Sequence, residues 1–499
     1  MPDALRLFLP FGPEDLPKVL STPREAPREA LGRGLLAYLR RLGAPEESLR
    51  AAQQLAHPES RAIVAGQQAG LLTGPAYTFY KAHTALKLAA QHTQPHRPVV
   101  AVFWVASQDH DTDEIRQVEL LGFEERIYRL ALDLPSAHPA GRIPFGPHTG
   151  AVCQLLSEFG GDASVRARLC QAMLGEWRFG EVFARMLLEF LGPLGLVVFD
   201  PMAPELAPLF IPGLKRELED PLASAEAINQ TARAMRQAGL EPTLGRGEAA
   251  TNLFLEGEDG RRRLLRYRSG RFEDGTRSYT PAQLEDILAQ DPARLTPAAG
   301  LRPVLQDSVL PTAGLVVGPG EIRYVAELGG VYALHGLRMP AIIPRLQATV
   351  LEPPIIRILQ KYRLDPWAFQ EDPEGSFKAV LAQQDERVQA LRTHLERVRA
   401  ELEKVRTLLP DPTLARPLHR AQVRIAHEIE RLERKVLEGA LRQENTTGAQ
   451  FARLQRHLAP AGPQERTYPF PMYLLKQGEE VLHRLQALPP TGRHLIPLG

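Results

Sequence analysis

The hydrophobic pattern alternates, up to about residue 350, between short continuous apolar runs and longer segments with helical periodicity. The runs at 62–65, 99–105 and 196–199 are typical of strands that are buried on both faces of a parallel sheet. Further strands are predicted at 311–317 and 338–344. Because such strands alternate with helices, the pattern predicts an α/β protein built on a Rossmann-like parallel sheet.

Three segments interrupt this alternation. Residues 115–150 contain short alternating segments that predict extra strands, and residues 151–193 have the periodicity of a helical insertion. In the segment at about 245–280, two strand-like stretches flank Glu258-Asp259-Gly260, which predicts a hairpin. The sheet is therefore expected to carry both helical and hairpin insertions.

The pattern changes again at residue 377, where apolar residues follow alternating steps of three and four with charged residues between them. This seam predicts a coiled coil, which Pro410-Asp411-Pro412 ends. A second helix follows, so the two are expected to form an antiparallel hairpin that dimerises, grips a partner or pairs only within the chain. The seam positions are Phe377, Leu381, Val388, Leu391, Leu395, Val398, Leu402, Val405 and Leu409 in the first helix, and Leu418, Ile425, Ile429, Leu432 and Val436 in the second.

A chain of 499 residues can bury a large core and is expected to hold more than one structural unit. The pattern predicts a Rossmann-like core with insertions at 1–375 and an antiparallel coiled coil at 376–458. A C-terminal segment at 459–499 is expected to return to the core.

Composition excludes several classes of function. The hydrophobic content of 44% and charged content of 24% are typical of a globular enzyme, and the net charge of +1 argues against a surface that coats nucleic acid. The sequence has neither a cleavable hydrophobic N-terminus nor an apolar run that could span a membrane. Two cysteines, Cys153 and Cys170, exclude a disulfide framework and a cysteine-rich zinc site. Each is expected to be a buried, inert thiol in a reducing cytoplasm.

The first candidate for chemistry is the loop from Gly66 to Lys81, which follows the first predicted strand. Its glycines let the backbone approach a ligand, and the next helix would present the unpaired amides of its first turn to the same space. The glycine spacing matches neither the dinucleotide fingerprint nor the phosphate loop, so plain turn chemistry is the alternative. The side chains that add hydrogen-bonding groups or a cation are Gln67, Gln68, Thr73, Tyr77 and Lys81.

A cluster of ionisable residues, from Asp109 to Glu114, follows the second predicted strand. In open α/β sheets, ligands bind at the edge where the strands end. Asp109, His110 and Asp111 could therefore ligate a divalent metal, or act as a general base and bind a substrate amine. The third alternative is a solvated helix N-terminus whose acidic residues complement the helix dipole. We predict acid–base chemistry at these three residues and no metal.

A similar strand, glycine-rich turn and helix recur at 311–327. The turn at Gly318-Pro319-Gly320-Glu321 would face the first loop across the sheet edge, and two such edges form a cleft. Asp200 also follows a predicted strand, although a helix-capping role is an equal alternative. The complete set of candidate substrate-binding residues is Gly66, Gln67, Gln68, Thr73, Gly74, Tyr77, Lys81, Arg302, Gly318, Gly320, Glu321, Tyr324 and Arg345.

These blocks resemble the BshC family, the cysteine ligases of bacillithiol biosynthesis. The likeness extends over most of residues 60–355, and Gln464-Glu465-Arg466 resembles the C-terminal block of the family. The matching blocks in the core are Gly66 to Lys81, Phe103 to Glu114, Arg302-Pro303, Gly318 to Glu321 and Pro344-Arg345.

The resemblance implies the last step of bacillithiol synthesis, in which the carboxyl of L-cysteine is joined to the amine of glucosaminyl malate. An amide bond requires an activated carboxyl, which suggests an acyl phosphate or an adenylate derived from ATP. The expected cofactor is therefore ATP or ADP, and no metal is expected. The family core is similar to nucleotidyltransferases and class I aminoacyl-tRNA synthetases. The chain nevertheless has no clear His-Ile-Gly-His or Lys-Met-Ser-Lys-Ser motif, so the role of the nucleotide is open.

In the hypothesised mechanism, the two glycine-bearing turns hold hydroxyls and carboxylates of the substrate. Asp109, His110 or Asp111 accepts a proton from the attacking amine, while Lys81, Arg302 or Arg345 stabilises negative charge. The expected partners are these small-molecule substrates and a second copy of the chain, bound through the coiled coil, with no nucleic acid and no membrane. The competing hypothesis is a non-catalytic nucleotide-binding scaffold that dimerises through the same coiled coil.

Overall fold

The computed structural model describes residues 3–384, 386–408, 415–441 and 446–498. The chain divides into two compact units. The first unit contains residues 1–348 and 468–496, and the second contains residues 349–467 and 497–499. In the part of the chain that is described, no helix is both long and apolar enough to cross a membrane.

Strands and helices alternate along the first unit, and helices dominate the second. The strands are β1 Arg61–Gln67, β2 Val99–Val105, β3 Gln117–Leu121, β4 Ile127–Ala131, β5 Val197–Phe199, β6 Ala250–Glu256, β7 Arg262–Arg268, β8 Arg271–Glu273, β9 Ser278–Tyr279, β10 Leu295–Pro297, β11 Thr312–Val317, β12 Ala341–Pro344, β13 Gln347–Leu351 and β14 Arg493–Pro497. The helices up to residue 240 are α1 Leu16–Ser21, α2 Arg28–Leu42, α3 Glu46–Leu55, α4 Tyr77–His92, α5 Thr112–Ile115, α6 Thr149–Phe159, α7 Ala163–Met173, α8 Phe179–Leu191, α9 Ile211–Glu219 and α10 Ala223–Gln237. Those that follow are α11 Pro281–Gln290, α12 Arg302–Val309, α13 Glu321–Val325, α14 Gly329–Leu334, α15 Pro353–Tyr362, α16 Pro366–Glu371, α17 Pro373–Gln384, α18 Glu386–Leu408, α19 Ala415–Leu441, α20 Thr446–Leu458, α21 Gln464–Thr467, α22 Phe470–Gln477 and α23 Glu480–Ala487.

The core of the first unit is a parallel five-stranded sheet in the order β12-β11-β1-β2-β5. The predicted α/β class and parallel sheet are confirmed. All seven residues of β2 are buried, as its uninterrupted apolar run predicts for a strand covered on both faces. The central strand β1 lies between β2, which is the next strand in the sequence, and β11, which comes much later in the chain. Their carboxyl ends meet at one edge of the sheet.

The predicted insertions are present. The strands β3 and β4 form an antiparallel pair, and α6, α7 and α8 supply the helical segment at 151–193. The predicted hairpin is β6 and β7, turned at Gly260, where φ is +73° and glycine is favoured. It belongs to a five-stranded antiparallel sheet in the order β10-β6-β7-β8-β9, which is larger than the hairpin that the sequence predicts.

The expectation of two buried thiols is wrong. A disulfide joins Cys153 in α6 to Cys170 in α7, with Cα atoms 5.8 Å apart, and both residues are partly exposed. The reason is local, because the turn at Gly160 and Gly161 folds α7 back beside α6. Helical periodicity predicted each helix but not the angle between them.

The second unit contains the long helices of the predicted coiled coil. Leu381, Ala382 and Val388 form a buried cluster against Phe377 and Val436. Since Val388 lies near the start of α18 and Val436 near the end of α19, the two helices run antiparallel, as predicted. The predicted break at 410–412, with Leu409 before it, lies outside the described residues.

The second unit also has a compact base. A buried cluster that includes Ile355, Phe369, Phe451 and Leu454 packs α15, α16 and α20 together. Gln464 fixes the entry to α21, since its side chain accepts from the amide of Val350 at 2.7 Å and donates to the carbonyl of the same residue at 2.8 Å. The predicted domain limits of 375 and 458 stay predictions.

Candidate functional site

The candidate site lies at the carboxyl edge of the parallel sheet. In chain order the sheet runs from β1 outward to β2 and β5 on one side, and through β11 to β12 on the other. The order therefore reverses between β1 and β11, which creates a crevice where doubly wound sheets bind ligands. The loop after β1 and the turn after β11 both open into this crevice.

A buried lysine joins these two segments. Lys81 in α4 is 2% exposed, and its Nζ lies 2.5 Å from Oε2 of Glu321 in α13. The same ammonium donates to the carbonyl of Gly66 at 2.8 Å and to Oε1 of Gln67 at 3.0 Å. Nε2 of Gln67 in turn donates to the hydroxyl of Tyr77 at 3.1 Å. One cation thus holds the ends of β1 and β11 together.

Two arginines complete a cluster of positive charge around Glu321. The guanidinium of Arg345, which follows β12, lies 5.0 Å from the centre of the Tyr77 ring, and that of Arg302 lies 5.8 Å from the ring of Trp104. Burial opposes ionisation of Glu321, but Lys81, the amide of Gly318 and Arg302 together outweigh it and hold the pKa of the carboxyl below its ordinary value. Lys81 and Arg302 both act on the Glu321 carboxylate, and Arg345 lies close enough to Lys81 to act on its ammonium. The cluster therefore has a surplus of positive charge.

Arg302 is held by a buried polar network. Its Nη1 donates to Oε1 of Gln306 at 2.9 Å, and Gln306 donates to Oδ1 of Asp307 at 3.0 Å. Arg302 also hydrogen-bonds the hydroxyl of Tyr324. Burial, together with the nearby Glu321, raises the pKa of Tyr324 to about 12, so this phenol is a donor at neutral pH.

A second group of side chains lines an open pocket beside the first. The pocket has a volume of about 440 Å³ and is lined by Gln68, Asp109, His110, Asp111 and Glu114, among others. Nε2 of Gln68 donates to Oδ2 of Asp109 at 2.7 Å, while Oδ1 of Asp109 accepts the amides of His110 at 2.7 Å and Asp111 at 3.2 Å. Gln67 belongs to the group around Lys81, which we call the Lys81 cluster and which contains Gln67, Tyr77, Lys81, Arg302, Glu321 and Arg345. Gln68 lines this pocket. Since Gln67 ends β1 and Gln68 follows it directly, two adjacent residues join the two groups.

The pKa values of two side chains in the pocket are shifted in opposite directions. Partial burial, together with Asp111 and Asp109, raises the pKa of Glu114. Burial and the neighbouring Arg262 lower the pKa of His110, against the effect of the two aspartates. At neutral pH the imidazole is therefore neutral, and Glu114 is a stronger proton acceptor than an exposed glutamate.

The sequence did not predict two of these residues as part of the site. Glu114 belongs to the acidic cluster after β2, where the sequence gives no reason to prefer it to its acidic neighbours. Arg262 lies in β7 among several arginines, and only the packing of the inserted sheet buries it to 8% exposure next to His110. No periodicity distinguishes Arg262 from its exposed neighbours, so the sequence carried no signal for it.

Three backbone amides of the first loop, near the start of α4, already donate to carbonyls of the chain itself. The amide of Gly74 donates to Leu71, that of Ala76 donates to Tyr468, and that of Thr78 donates to Pro75. Thr73 is fully buried, with φ at +69°, and its hydroxyl has no partner among the described residues. Thr73 and Gly74 therefore stabilise the conformation of the loop.

A side chain of the protein itself also occupies the second turn. The amide of Gly318 donates to Oε2 of Glu321 at 2.6 Å, so a resident carboxylate lies where an anionic ligand was expected. Gly320 is open, since a Cβ added there would meet nothing within 4 Å. Asp200 is buried and accepts from Ser107 and from the amide of Met202, and burial raises its pKa to about 6.

Chemically, the edge offers a cationic cluster next to a pocket of proton-accepting groups. Among the described residues, no three His, Cys, Asp or Glu side chains converge in a way that could hold a metal ion. Such an edge suits a substrate that carries both anionic groups and an amine.

Comparison with known proteins decides the family. Residues 14–346 match the family model described as the N-terminal Rossmann-like domain of BshC of bacillithiol biosynthesis, and residues 348–496 match its C-terminal coiled-coil domain. The chain belongs to the BshC family. The family descriptions associate it with bacillithiol biosynthesis and confirm the resemblance seen in the sequence, the Rossmann-like core and the coiled coil.

Relatives in the BshC family match along nearly the whole chain. A protein of Thermus thermophilus named "Putative cysteine ligase BshC" is 50% identical over 499 residues, which cover 99% of this chain and 98% of that protein. Proteins of the same name from Symbiobacterium thermophilum and Salinibacter ruber are 34% and 33% identical, covering 92% and 93% of this chain and 87% of each relative.

Proposed function

We propose that this protein is the ligase that joins the carboxyl of L-cysteine to the amine of glucosaminyl malate, which is the last step of bacillithiol synthesis. The observation that carries the proposal is the pairing of two chemistries at one sheet edge. The Lys81 cluster is cationic, the Asp109 pocket is rich in carboxylates, and Gln67 and Gln68 connect them. The names of the BshC relatives supply the reaction class.

The cationic cluster suits the malate part of the substrate. Malate carries two carboxylates, and Lys81, Arg302 and Arg345 outnumber the single resident carboxylate of Glu321. Arginine can bind a carboxylate with two parallel hydrogen bonds, which gives geometry as well as attraction. Tyr77, between Gln67 and Arg345, adds a hydroxyl at the same place.

The carboxylate pocket suits the amine of the sugar. An amine arrives at neutral pH as an ammonium ion, which carboxylates attract, and it must lose protons to form an amide. Asp109, Asp111 and Glu114 lie around the pocket as acceptors. In the reaction the amine nitrogen forms a bond to the carboxyl carbon of cysteine, and the activating group leaves with the electron pair.

Activation of the carboxyl requires a co-reactant. We propose a nucleoside triphosphate, which would convert the carboxyl to an acyl phosphate or an adenylate. The chain lacks clear synthetase motifs, so this part rests on the chemistry of amide formation alone. The second proposed partner is another copy of the chain, bound through the coiled coil to form a homodimer.

Product formation tests the proposal directly. Purified protein incubated with glucosaminyl malate, L-cysteine and ATP should yield bacillithiol by mass spectrometry, and omission of ATP should abolish it. Asp109→Asn should lower the rate by roughly 10²- to 10⁴-fold, the usual contribution of a group that moves a proton. The matched control is Asp133→Asn, at an exposed carboxylate outside the pocket. Product in neither mixture would overturn the assignment and favour a non-catalytic scaffold.

A further inference from the structure

A contact between the inserted sheet and the candidate site fixes the chemistry of one residue. Nη1 of Arg262 in β7 lies 2.9 Å from Nδ1 of His110, at hydrogen-bond distance. The two residues are 152 positions apart in the sequence. His110 itself lines the open pocket, with its side chain 32% exposed.

The direction of this hydrogen bond is determined by arginine. A guanidinium has N–H donors and no acceptor, so Nδ1 of His110 must accept. Burial lowers the pKa of Arg262 only to about 10, which leaves the guanidinium charged at neutral pH. A neutral imidazole whose Nδ1 accepts carries its proton on Nε2. Arg262 therefore selects one tautomer of His110.

Arg262 is held rigidly enough to make that selection. Its Nε donates to the hydroxyl of Thr296 at 2.8 Å, and its Nη2 donates to the carbonyl of Pro297 at 2.7 Å, both in β10. The guanidinium lies 4.0 Å from the ring centre of Phe254, which also contacts the His110 ring at 5.4 Å between centroids. These two hydrogen bonds and the cation–π contact leave the guanidinium little freedom to turn away from His110.

We propose that His110 acts as a hydrogen-bond donor through Nε2–H to an oxygen of the bound substrate, and that Arg262 is the positioning residue that fixes this role. Among the described residues none bonds to Nε2, so this N–H is available to the pocket. The inference rests on the proposed ligase function, and it assigns His110 a role other than the general base.

The surrounding charges are consistent with that division of roles. Oδ1 of Asp109 is 3.9 Å from Nδ1 of His110, too far for a hydrogen bond, and it already accepts two backbone amides. Asp111 and Glu114 line the same pocket. The carboxylates are thus left as the groups that accept a proton from the amine.

Two substitutions at His110 separate a donor from a base. Glutamine keeps an N–H at the position of Nε2 but cannot take up a proton, whereas alanine removes both functions. We expect His110→Gln to keep turnover within about tenfold of the natural protein, and His110→Ala to lose roughly 10²- to 10³-fold, the cost of removing one donor to a reacting oxygen. Equal loss in both variants, with unchanged thermal unfolding, would overturn the donor role.

The tautomer itself can be observed without any activity. In protein labelled with ¹⁵N-histidine, long-range proton–nitrogen spectra should show Nδ1 of His110 without a proton and Nε2 with one at neutral pH; the His110→Gln spectrum identifies the signal. Arg262→Lys keeps a hydrogen-bond donor and should retain that tautomer. Arg262→Met removes the donor and should give a mixture of the two tautomers. It should also lower kcat roughly 10- to 100-fold, as for other partners that orient a functional imidazole.

The two readouts distinguish the possible failures. If the natural protein forms no product, the ligase assignment fails, and the spectrum still tests the link between Arg262 and His110. If product forms but Nδ1 carries the proton, or if Arg262→Met leaves both the spectrum and kcat unchanged, the positioning role of Arg262 is refuted.

Discussion

At the scale of single residues, the pair formed by Lys81 and Glu321 determines how the site is held. The ammonium is almost fully buried and the carboxylate is 30% exposed, so removal of either partner leaves the other charge poorly solvated. The pair also bridges β1 and β11, the strands on either side of the crevice. Stability and site geometry therefore depend on the same contact.

Breaking this pair should destabilise the protein measurably. We expect Lys81→Met to lower the free energy of unfolding by about 3 kcal/mol. This value is near the lower end of the range for buried pairs, because the Glu321 side chain stays partly exposed to solvent. The double variant Lys81→Met/Glu321→Gln should recover much of that loss, since no unpaired charge remains. Urea unfolding followed by circular dichroism measures both, and a double variant as unstable as the single one would contradict the argument.

The pair should also make stability depend on pH in one direction. The pKa of Glu321 lies below its ordinary value of 4.5, so the contribution of the ionised pair is fully present above that pH. It is lost as the pH falls through the lower, folded-state pKa. The Lys81→Met variant should show a smaller loss of stability over the same acidic interval.

At the scale of elements, the two glycine-rich segments look alike in sequence and differ in the structure. The loop after β1 is tightly packed, because a Cβ on Gly70 would come within 2.8 Å of the Cα of Gly74. The turn after β11 is open at Gly320. Glycine is required for close backbone approach in the first segment and not at this position in the second.

A matched pair of substitutions tests that difference. Gly70→Ala should lower the free energy of unfolding by about 1–3 kcal/mol, because backbone rather than a flexible side chain must move. Gly320→Ala should change it by less than about 0.5 kcal/mol. Thermal unfolding of the two variants measures both effects, and similar midpoints would show that the first loop can relax.

Sequence patterns predicted elements better than contacts between them. The strands around Val64 and Val102 were predicted because a short, continuous apolar run indicates by itself a strand that is buried on both faces. The pairing of Lys81 with Glu321 and the burial of Arg262 were not predicted, since both depend on how distant elements pack. The disulfide between Cys153 and Cys170 was missed for the same reason. The sequence thus placed most candidate residues at one sheet edge without giving their partners.

At the scale of the whole molecule, the coiled coil leaves its seam incompletely covered. Val388 is fully buried, but Val398 and Val405 are 36% and 37% exposed, and Leu432 is 47% exposed. Apolar seam positions that one pair of helices does not bury are typical of a coiled coil that binds further helices. This supports the proposed homodimer.

Charge placed on the seam should separate the subunits. Val398→Glu/Val405→Glu should convert a particle of twice the 55.4 kDa chain mass to a single chain in light scattering, because like charges would face one another across the interface. Val423→Glu, at an exposed valine off the predicted seam, is the control. A natural protein that already runs as a single chain would refute the dimer.

The central position of β1 has a consequence for synthesis of the chain. Its residue Ala62 pairs with Thr312, which is 250 positions later (312 minus 62). At ribosomal rates of about 5–20 residues per second, roughly 12 to 50 seconds pass before that partner emerges. During this interval one side of β1 has no hydrogen-bonding neighbour, and an unpaired strand edge of this kind is a template for pairing with other nascent chains.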